Sequence, residues 1–448
     1  MNTKSKLLDY ENIKTDEFIL NAWYTPAVTF ENYKLYKECG FNYIFIQGEH
    51  INDNFADPNV IKALEYCDEL GLKAFVCLDC ADKTEGCFPE FEKCLYEFAK
   101  HESFVGFDYD EPVVYTNTIN KRLGFYELSP HLARIHKNLP KVECIINLNP
   151  TTSIDILDWG GKNTKMTYDE HLDALEKYVG QIFADGTERN WISCDDYVLK
   201  FDPQADQKYF LKPTWLFNLE MLAERKRDSK IKYSTNFFIQ AQAYEENLRI
   251  PTYNDLRLQM YTCMAFGYDS VSYYCYATPP YKKDSPVCCD ALVDRDNNKT
   301  QIWFDSQKLN KEIMSFANVY KHFNNQWIGV SQVYGTNNTT KDANYQNVSL
   351  SVRTPLSISD LDGVKDVTST EDVIVGYMKD TVGNAGFMVV NYNDTTYNKT
   401  SVVKMTFDNA NKALVYVDGV KQDVKLDNNV LTLNLGVGEG VFVIPYAE

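Results

Sequence analysis

The chain has 448 residues, 44% hydrophobic and 24% charged, a globular composition with length for two or three domains. Its net charge of −18 argues against nucleic acid and anionic membrane as partners. No apolar run approaches the roughly 20 residues that a bilayer span needs.

Taken in order, the chain opens without the apolar stretch of a secretory signal, so a cytoplasmic location is expected. The 12 cysteines all lie between Cys39 and Cys289, spaced irregularly and mostly inside apolar runs, which fits free thiols in a reducing compartment. From residue 18 to about 325, short apolar strands alternate with amphipathic helices. The strands are expected at Phe18–Trp23, Tyr43–Gln47, Ala74–Leu78, Phe104–Phe107, Val142–Leu148, Trp191–Ser193, Lys232–Ile239 and Ser270–Tyr276. Thr29 reads as a helix cap with Gly40 past that helix's end, and Asp57-Pro58 opens the next helix, which Gly71 closes. A last helix runs from about Asp305 to Phe323, with Leu309, Ile313, Phe316 and Tyr320 on one face. Eight strand–helix units predict a closed (β/α)8 TIM barrel over residues 1–328. An open doubly wound sheet would call for a Gly-rich phosphate loop, and no such motif is present.

After about Gly329 the pattern changes to short alternating runs, among them Val373–Tyr377, Gly386–Asn391, Val402–Phe407, Ala413–Val417, Val430–Leu435 and Gly440–Pro445. Asp418-Gly419 and Asn428-Asn429 read as hairpin turns between them. An all-β sandwich is expected over 329–448.

In such a barrel, chemistry gathers at the carboxyl ends of the strands. Those ends are polar throughout: Trp23 and Tyr24, then Gln47, Glu49 and His50, Asp79, the trio Asp108, Asp110 and Glu111, Asn147 and Asn149, the run Asp195-Asp196-Tyr197, Gln240 and Gln242, and Tyr276. Three carboxyl groups within four residues, at the end of the apolar run from Phe104, raise at least one pKa by mutual repulsion. Lys and Arg are nearly absent from the strand ends, which disfavours phosphoryl substrates. No Ser or Cys nucleophile with a His base stands out. Two carboxyl groups, amides for hydroxyls and stacking aromatics are the needs of glycoside hydrolysis. No cofactor is called for.

Phe107-Asp-Tyr-Asp-Glu-Pro112 resembles the strand-four Asp-Glu-Pro motif of barrel glycoside hydrolases. Asn147-Leu-Asn-Pro150, Cys194-Asp-Asp-Tyr197, Arg249-Ile-Pro-Thr252 with Asp255-Leu-Arg257, Tyr261 to Gly267, and Leu292 to Thr300 are similar to segments of a bacterial glycoside hydrolase-like group with a C-terminal sandwich. The resemblance implies a carbohydrate substrate and the acid/base role for Glu111. On strand seven it departs from the pattern: Phe238-Ile-Gln-Ala-Gln242 offers amides where the large clan carries a nucleophilic glutamate. Two replacements stand side by side. In one, Asp110 orients a substrate acetamido group while Glu111 is the acid. In the other, Asp195 on strand six is the partner carboxylate. Trp23, Tyr24, Gln47, Asp79, Asp108, Asn147, Asn149, Asp196, Tyr197, Gln240, Gln242 and Tyr276 are expected to contact substrate. A non-catalytic sugar-binding barrel and a metal-dependent hydrolase using Asp79, Asp108 and His50 are the rival readings.

Overall fold

The computed structural model describes residues 7–78, 85–116, 123–151, 166–205, 207–212, 214–331 and 361–447. Strand β1 (Ile19–Ala22) leads to helix α1 (Phe30–Glu38), β2 (Tyr43–Ile46), α2 (Pro58–Leu70), β3 (Lys73–Cys77), α3 (Phe88–Phe98), β4 (Phe104–Asp110), α4 (Phe125–Asn138) and β5 (Glu143–Leu148). Then come α5 (Tyr168–Leu175), β6 (Asn190–Asp195), a hairpin of β7 (Leu199–Phe201) and β8 (Tyr209–Leu211), α6 (Trp215–Asp228), β9 (Ser234–Gln240), α7 (Tyr253–Ala265), β10 (Ser270–Tyr274) and α8 (Gln301–Tyr320). Strands β1 to β6, β9 and β10 form one parallel sheet in the order β1-β10-β9-β6-β5-β4-β3-β2, the expected eight-stranded barrel.

The caps fall where the sequence puts them. Thr29 accepts the Asn32 N–H, Asp57 accepts that of Asn59, and Gly71 ends α2 with φ +63°. The hairpin β7–β8 is an addition to the expected elements, because each strand is three residues long and neither shows a full alternation.

Side chains close the barrel between β1 and β2. The Asn42 amide accepts from Leu20 N–H at 2.8 Å and donates to Phe18 O at 3.0 Å. The Tyr36 hydroxyl accepts from Ala22 N–H and donates to Tyr43 O, both at 2.8 Å. Thr25 Oγ donates to Phe45 O and accepts from Gln47 N–H. The backbone groups that a ladder would have satisfied therefore keep partners.

Under the barrel, Asp269 accepts from Lys226 Nζ at 2.6 Å, Lys321 Nζ at 2.5 Å and Thr235 N–H at 2.9 Å, joining α6, α8 and β9. Burial would raise its pKa, but the two ammonium groups prevail and hold it well below the usual carboxylate range. A depressed folded pKa gives stability that is present above the unfolded value and lost as pH falls toward the folded one. Asp269→Asn leaves two half-buried ammonium groups without their counter-charge. It should destabilise the protein by about 3 kcal/mol at pH 7, read as a lower urea midpoint, with the gap to wild type narrowing in acid.

The C-terminal strands are β11 (Asn324–Ser331), β12 (Val364–Ser369), β13 (Val373–Lys379), β14 (Ala385–Asn391), β15 (Ser401–Phe407), β16 (Lys412–Val417), β17 (Val420–Lys425), β18 (Val430–Leu435) and β19 (Gly440–Tyr446). They form an antiparallel sheet ordered β11-β13-β14-β19-β16-β17 and a second one ordered β12-β15-β18. Alternation sorts the larger sheet into two faces. Val373, Val375, Phe387, Val389, Val415 and Val443 pack toward the smaller sheet, whereas Ile374, Met388, Val390, Tyr416, Phe442 and Ile444 join the barrel's own core. Helix α7 is consequently buried at every residue from Asp255 to Ala265, covered by barrel on one side and sheet on the other. At this seam Gly376 has no room for a side chain, since a Cβ there would sit 2.3 Å from Ala265 O. Both expected turns are present, with positive φ at Asp418, Gly419, Asn428 and Asn429.

Candidate active site

Because successive strand residues face opposite sides, one residue in two points into the barrel. On β4 these are Gly106, Asp108 and Asp110; Phe107 packs outward on Phe91 of α3, and the Tyr109 hydroxyl reaches Leu123 O. On β5, Asn147 points inward, and on β6, Ser193 and Asp195 do. On β9 the inward residues are Asn236 and Phe238, and on β10 they are Ser270, Ser272 and Tyr274. Register brings several of them level: Asp110 pairs with Asn147, Asn147 with Ser193, Ser193 with Asn236, and Asn236 with Ser270.

The level residues form one directed chain of hydrogen bonds. Ser270 and Ser272 donate to Asn236 Oδ1 at 2.7 and 2.8 Å. Asn236 Nδ2 donates to Ser193 Oγ at 2.9 Å, and Ser193 donates to Asn147 Oδ1 at 2.8 Å. Asn147 Nδ2 then donates to both Asp110 Oδ1 at 2.9 Å and Asp195 Oδ1 at 3.0 Å. Two bonds to one nitrogen cap the separation of those carboxylate oxygens at their sum, about 5.9 Å. The serine hydroxyl fixes which way the Asn147 amide points, so its N–H groups face the carboxyls.

Above this floor lies a cavity of about 240 Å³ lined by Trp23, Asp110, Glu111, Asn147, Asp195, Tyr197, Phe238, Tyr244 and Tyr274. Trp23 packs edge-on against Phe238, with ring centroids 5.5 Å apart. Tyr197, Tyr244 and Tyr274 form a second aromatic wall, with centroids 5.0 to 5.8 Å apart. Glu111 ends β4 in the left-handed region at φ +49°, its N–H bonded to Asn147 O at 2.8 Å. A non-glycine residue there stores about 1–3 kcal/mol of strain, which active sites commonly do. Burial pushes the Asp195 carboxyl well above the usual carboxylate range, and the charges of Glu111 and Asp110 push it further; the Asn147 bond opposes them.

Six of the expected site residues thus meet in one cavity: Trp23, Asp110, Glu111, Asn147, Asp195 and Tyr197. The others are placed elsewhere. Asp108 is fully buried, two residues deeper than Asp110 on the same face. Gln47 is nearly buried at the end of β2, and its Nε2 has no hydrogen-bond partner among the described residues. Tyr24 turns away at φ +67°, against Gly48 and Tyr281. Asn149 is buried, its carbonyl accepting from the Tyr168 hydroxyl. Asp196 follows Asp195 and so faces outward, where it is buried against Lys212 and Asn218. The Gln240 side chain accepts from Leu199 N–H and donates to Arg249 O, tying the β7 hairpin to the barrel. Gln242 is held between Cys275 Sγ and Cys289 O. Tyr276 packs on Tyr36 and Phe41, toward α1. Alternation claims the Asp196 side chain, backbone contacts claim those of Gln240 and Gln242, and ring packing claims that of Tyr276. Asp79 lies outside the described residues. His50 lies in the short helical turn after β2, 3.8 Å from Glu49, its pKa lowered by burial, and does not line the cavity.

Phe238, Tyr244 and Tyr274 join the site without having been expected there. Counting back by twos from the end of β10 finds Tyr274 in place of Tyr276. All 11 described cysteines are free thiols. No described helix is long and apolar enough to cross a membrane.

No family model matches the chain, and no curated protein does. Solved structures do. A catalytic mutant of a GH42 β-galactosidase from G. stearothermophilus aligns over 98% of this chain and 100% of its own, at 7% identity and a TM-score of 0.57. A cold-adapted β-galactosidase from Rahnella sp. R3 aligns over 99% and 100%, at 9% identity and 0.53. A putative α-galactosidase from Bacteroides fragilis NCTC 9343 aligns over 96% and 79%, at 11% identity and 0.53. The chain therefore has a fold that glycoside hydrolases use, a parallel eight-stranded barrel followed by antiparallel sheets.

Proposed function

We propose that the chain is a glycoside hydrolase whose reacting groups are Asp110, Glu111 and Asp195. The observation that carries the reading is the Asn147 amide, which holds Asp110 and Asp195 with their bonded oxygens no more than about 5.9 Å apart beneath an aromatic-walled cavity. Glycoside hydrolysis needs one carboxyl that carries a proton and one that is ionised, on either side of the scissile bond. Glu111 and Asp195 form the acid: burial, with the neighbouring charges of Glu111 and Asp110, favours the protonated form of Asp195, and the proton passes from this end of the cavity to the glycosidic oxygen. Asp110 supplies the second carboxyl group, which faces the anomeric carbon. The upper bound of about 5.9 Å on the spacing of the bonded Asp110 and Asp195 oxygens lies short of the wider gap that admits a water, which supports a retaining mechanism. Trp23 and the three tyrosines supply stacking faces for a pyranose ring. In this reading the role of the absent strand-seven glutamate falls to Asp110 on strand four, and Asp195 joins the acid, an assignment that differs from both sequence alternatives. The fold shared with two β-galactosidases and a putative α-galactosidase supports a carbohydrate substrate.

The test is a panel of aryl glycosides covering galactosides, glucosides, arabinosides and acetamido sugars. Release of the aryl alcohol from at least one, with multiple turnovers per protein, is expected. Binding of sugars without hydrolysis of any panel member would favour the non-catalytic barrel instead. Turnover abolished by a chelator and restored by a divalent ion would favour the metal-dependent rival.

A further inference from the structure

A second cavity, of about 550 Å³, opens where the β7–β8 hairpin, the segment from Arg249 to Asp255 and the turn from Thr395 to Asn398 come together. Its walls are of three kinds. Phe201 and Tyr209 face each other across the hairpin, with centroids 5.3 Å apart and ring planes at 35°. Tyr209 is 42% exposed and Ile250 45%, so this is an uncovered apolar platform beside a cavity and not a packed core. The Tyr397 hydroxyl, donating to Tyr209 O at 3.0 Å, fixes the hairpin against the sandwich.

The charged groups in the wall are already paired. Arg249 binds Asp255 at 2.6 Å and Asp394 at 3.2 Å, and Asp255 also accepts from Thr252 and Thr395. Among the described lining residues no charge is left to draw an ionic ligand. Asn254 and Asn398 also line the cavity, each offering an amide. Aromatic faces, amides and charges already held in ion pairs suit a neutral polyhydroxylated ligand.

The cavity is also tethered to the mouth. Tyr197 and Tyr244 line the active-site cavity, and Phe201 and Arg249 line this one. They lie four and five positions apart, at most about 14 and 18 Å of extended chain. Backbone bonds hold the two paths together, Phe201 N–H to Asn247 O at 2.9 Å and Arg249 N–H to Leu199 O at 3.1 Å. From these observations we infer that the cleft is a second carbohydrate-binding site, which takes units of a neutral oligosaccharide beyond those held at the mouth. The inference rests on the glycoside hydrolase reading for its class of ligand.

The experiment uses Glu111→Gln protein on an array of neutral mono- to hexasaccharides, beside the same protein carrying Tyr209→Ala, Tyr209→Phe or Asn254→Ala. Melting temperatures check that each variant is folded. Binding to at least one glycan of three or more units is expected. Tyr209→Ala should weaken it about tenfold, and Tyr209→Phe, which keeps the ring, by less than about twofold. Binding unchanged by both Tyr209→Ala and Asn254→Ala, or no bound glycan at all, would overturn the second site. The two readings fail separately. Hydrolysis of an aryl glycoside with array binding indifferent to Tyr209 removes the site and keeps the enzyme. Tyr209-dependent array binding with no glycoside hydrolysed by wild type does the reverse.

Discussion

Asp195→Asn is expected to lower kcat/KM by about 10²- to 10⁴-fold, the usual contribution of a positioned general acid, while making the protein more stable at alkaline pH. Both effects have one origin. Burial, Glu111 and Asp110 make ionisation of Asp195 unfavourable in the folded state. A carboxyl whose folded pKa is raised contributes stability that is fully present below its unfolded pKa and is lost as pH rises through the folded value. Wild type should therefore lose stability as pH rises from about 4, the unfolded carboxyl value, toward the folded one, and the variant, whose amide cannot ionise, should not lose that part. The expected gain at pH 9 is about 0.5–2 kcal/mol, as is common when a strained functional group is removed. Melting curves at pH 4 and pH 9 check it: the two proteins should lie close at pH 4 and separate at pH 9. A variant less stable than wild type at both values would mean that Asp195 is a structural ion, and its catalytic assignment would fall with it.

The second large effect concerns Asn147. Its amide donates to two carboxyls at once, and Ser193 holds it in that orientation. Asn147→Ala should reduce kcat about 100-fold, because the two reacting carboxyls lose their common anchor. The pH profile separates this from a packing defect. The Asn147 bond lowers the Asp195 pKa, so its removal should raise that pKa further and move the alkaline limb of kcat/KM to higher pH. Asn236→Ala removes the donor to Ser193 without touching a carboxyl, and should move the limb the same way by less. A fall in kcat with no displacement of either limb would show that Asn147 fills space and does not tune the carboxyls.

Much of the fold was legible because each barrel unit carries its own signal. Asp57-Pro58 and Gly71 bracket α2, and Asp418-Gly419 turns β16 into β17, through contacts within a few residues. The hairpin β7–β8 and strands β11, β12 and β17 carry no comparable signal. Strand β17 is polar or exposed at nearly every position, because it closes the edge of the larger sheet.

The site was legible in part for the same reason. Alternation along one strand separates Asp195 from Asp196, and that rule needs nothing beyond the strand's own residues. The Asn147 chain needs more, since it depends on register across five strands, and register is set by packing and not by any one strand's sequence. Gln240 shows the converse. A glutamine at a strand's carboxyl end reads as a ligand for hydroxyls, yet the hairpin inserted after Tyr197 brings Leu199 N–H to it. The cavity likewise brings together Glu111 and Asp195, 84 positions apart in sequence.

The most direct test of the proposed chemistry compares Glu111→Gln with wild type on whichever aryl glycoside wild type hydrolyses best. Glutamine keeps the size of the side chain and removes its ability to carry or share a proton. A loss of at least about 10³-fold in kcat/KM, with the melting temperature unchanged or raised, is the expected result. Turnover that survives the substitution would contradict the assignment of the acid to the Glu111–Asp195 pair.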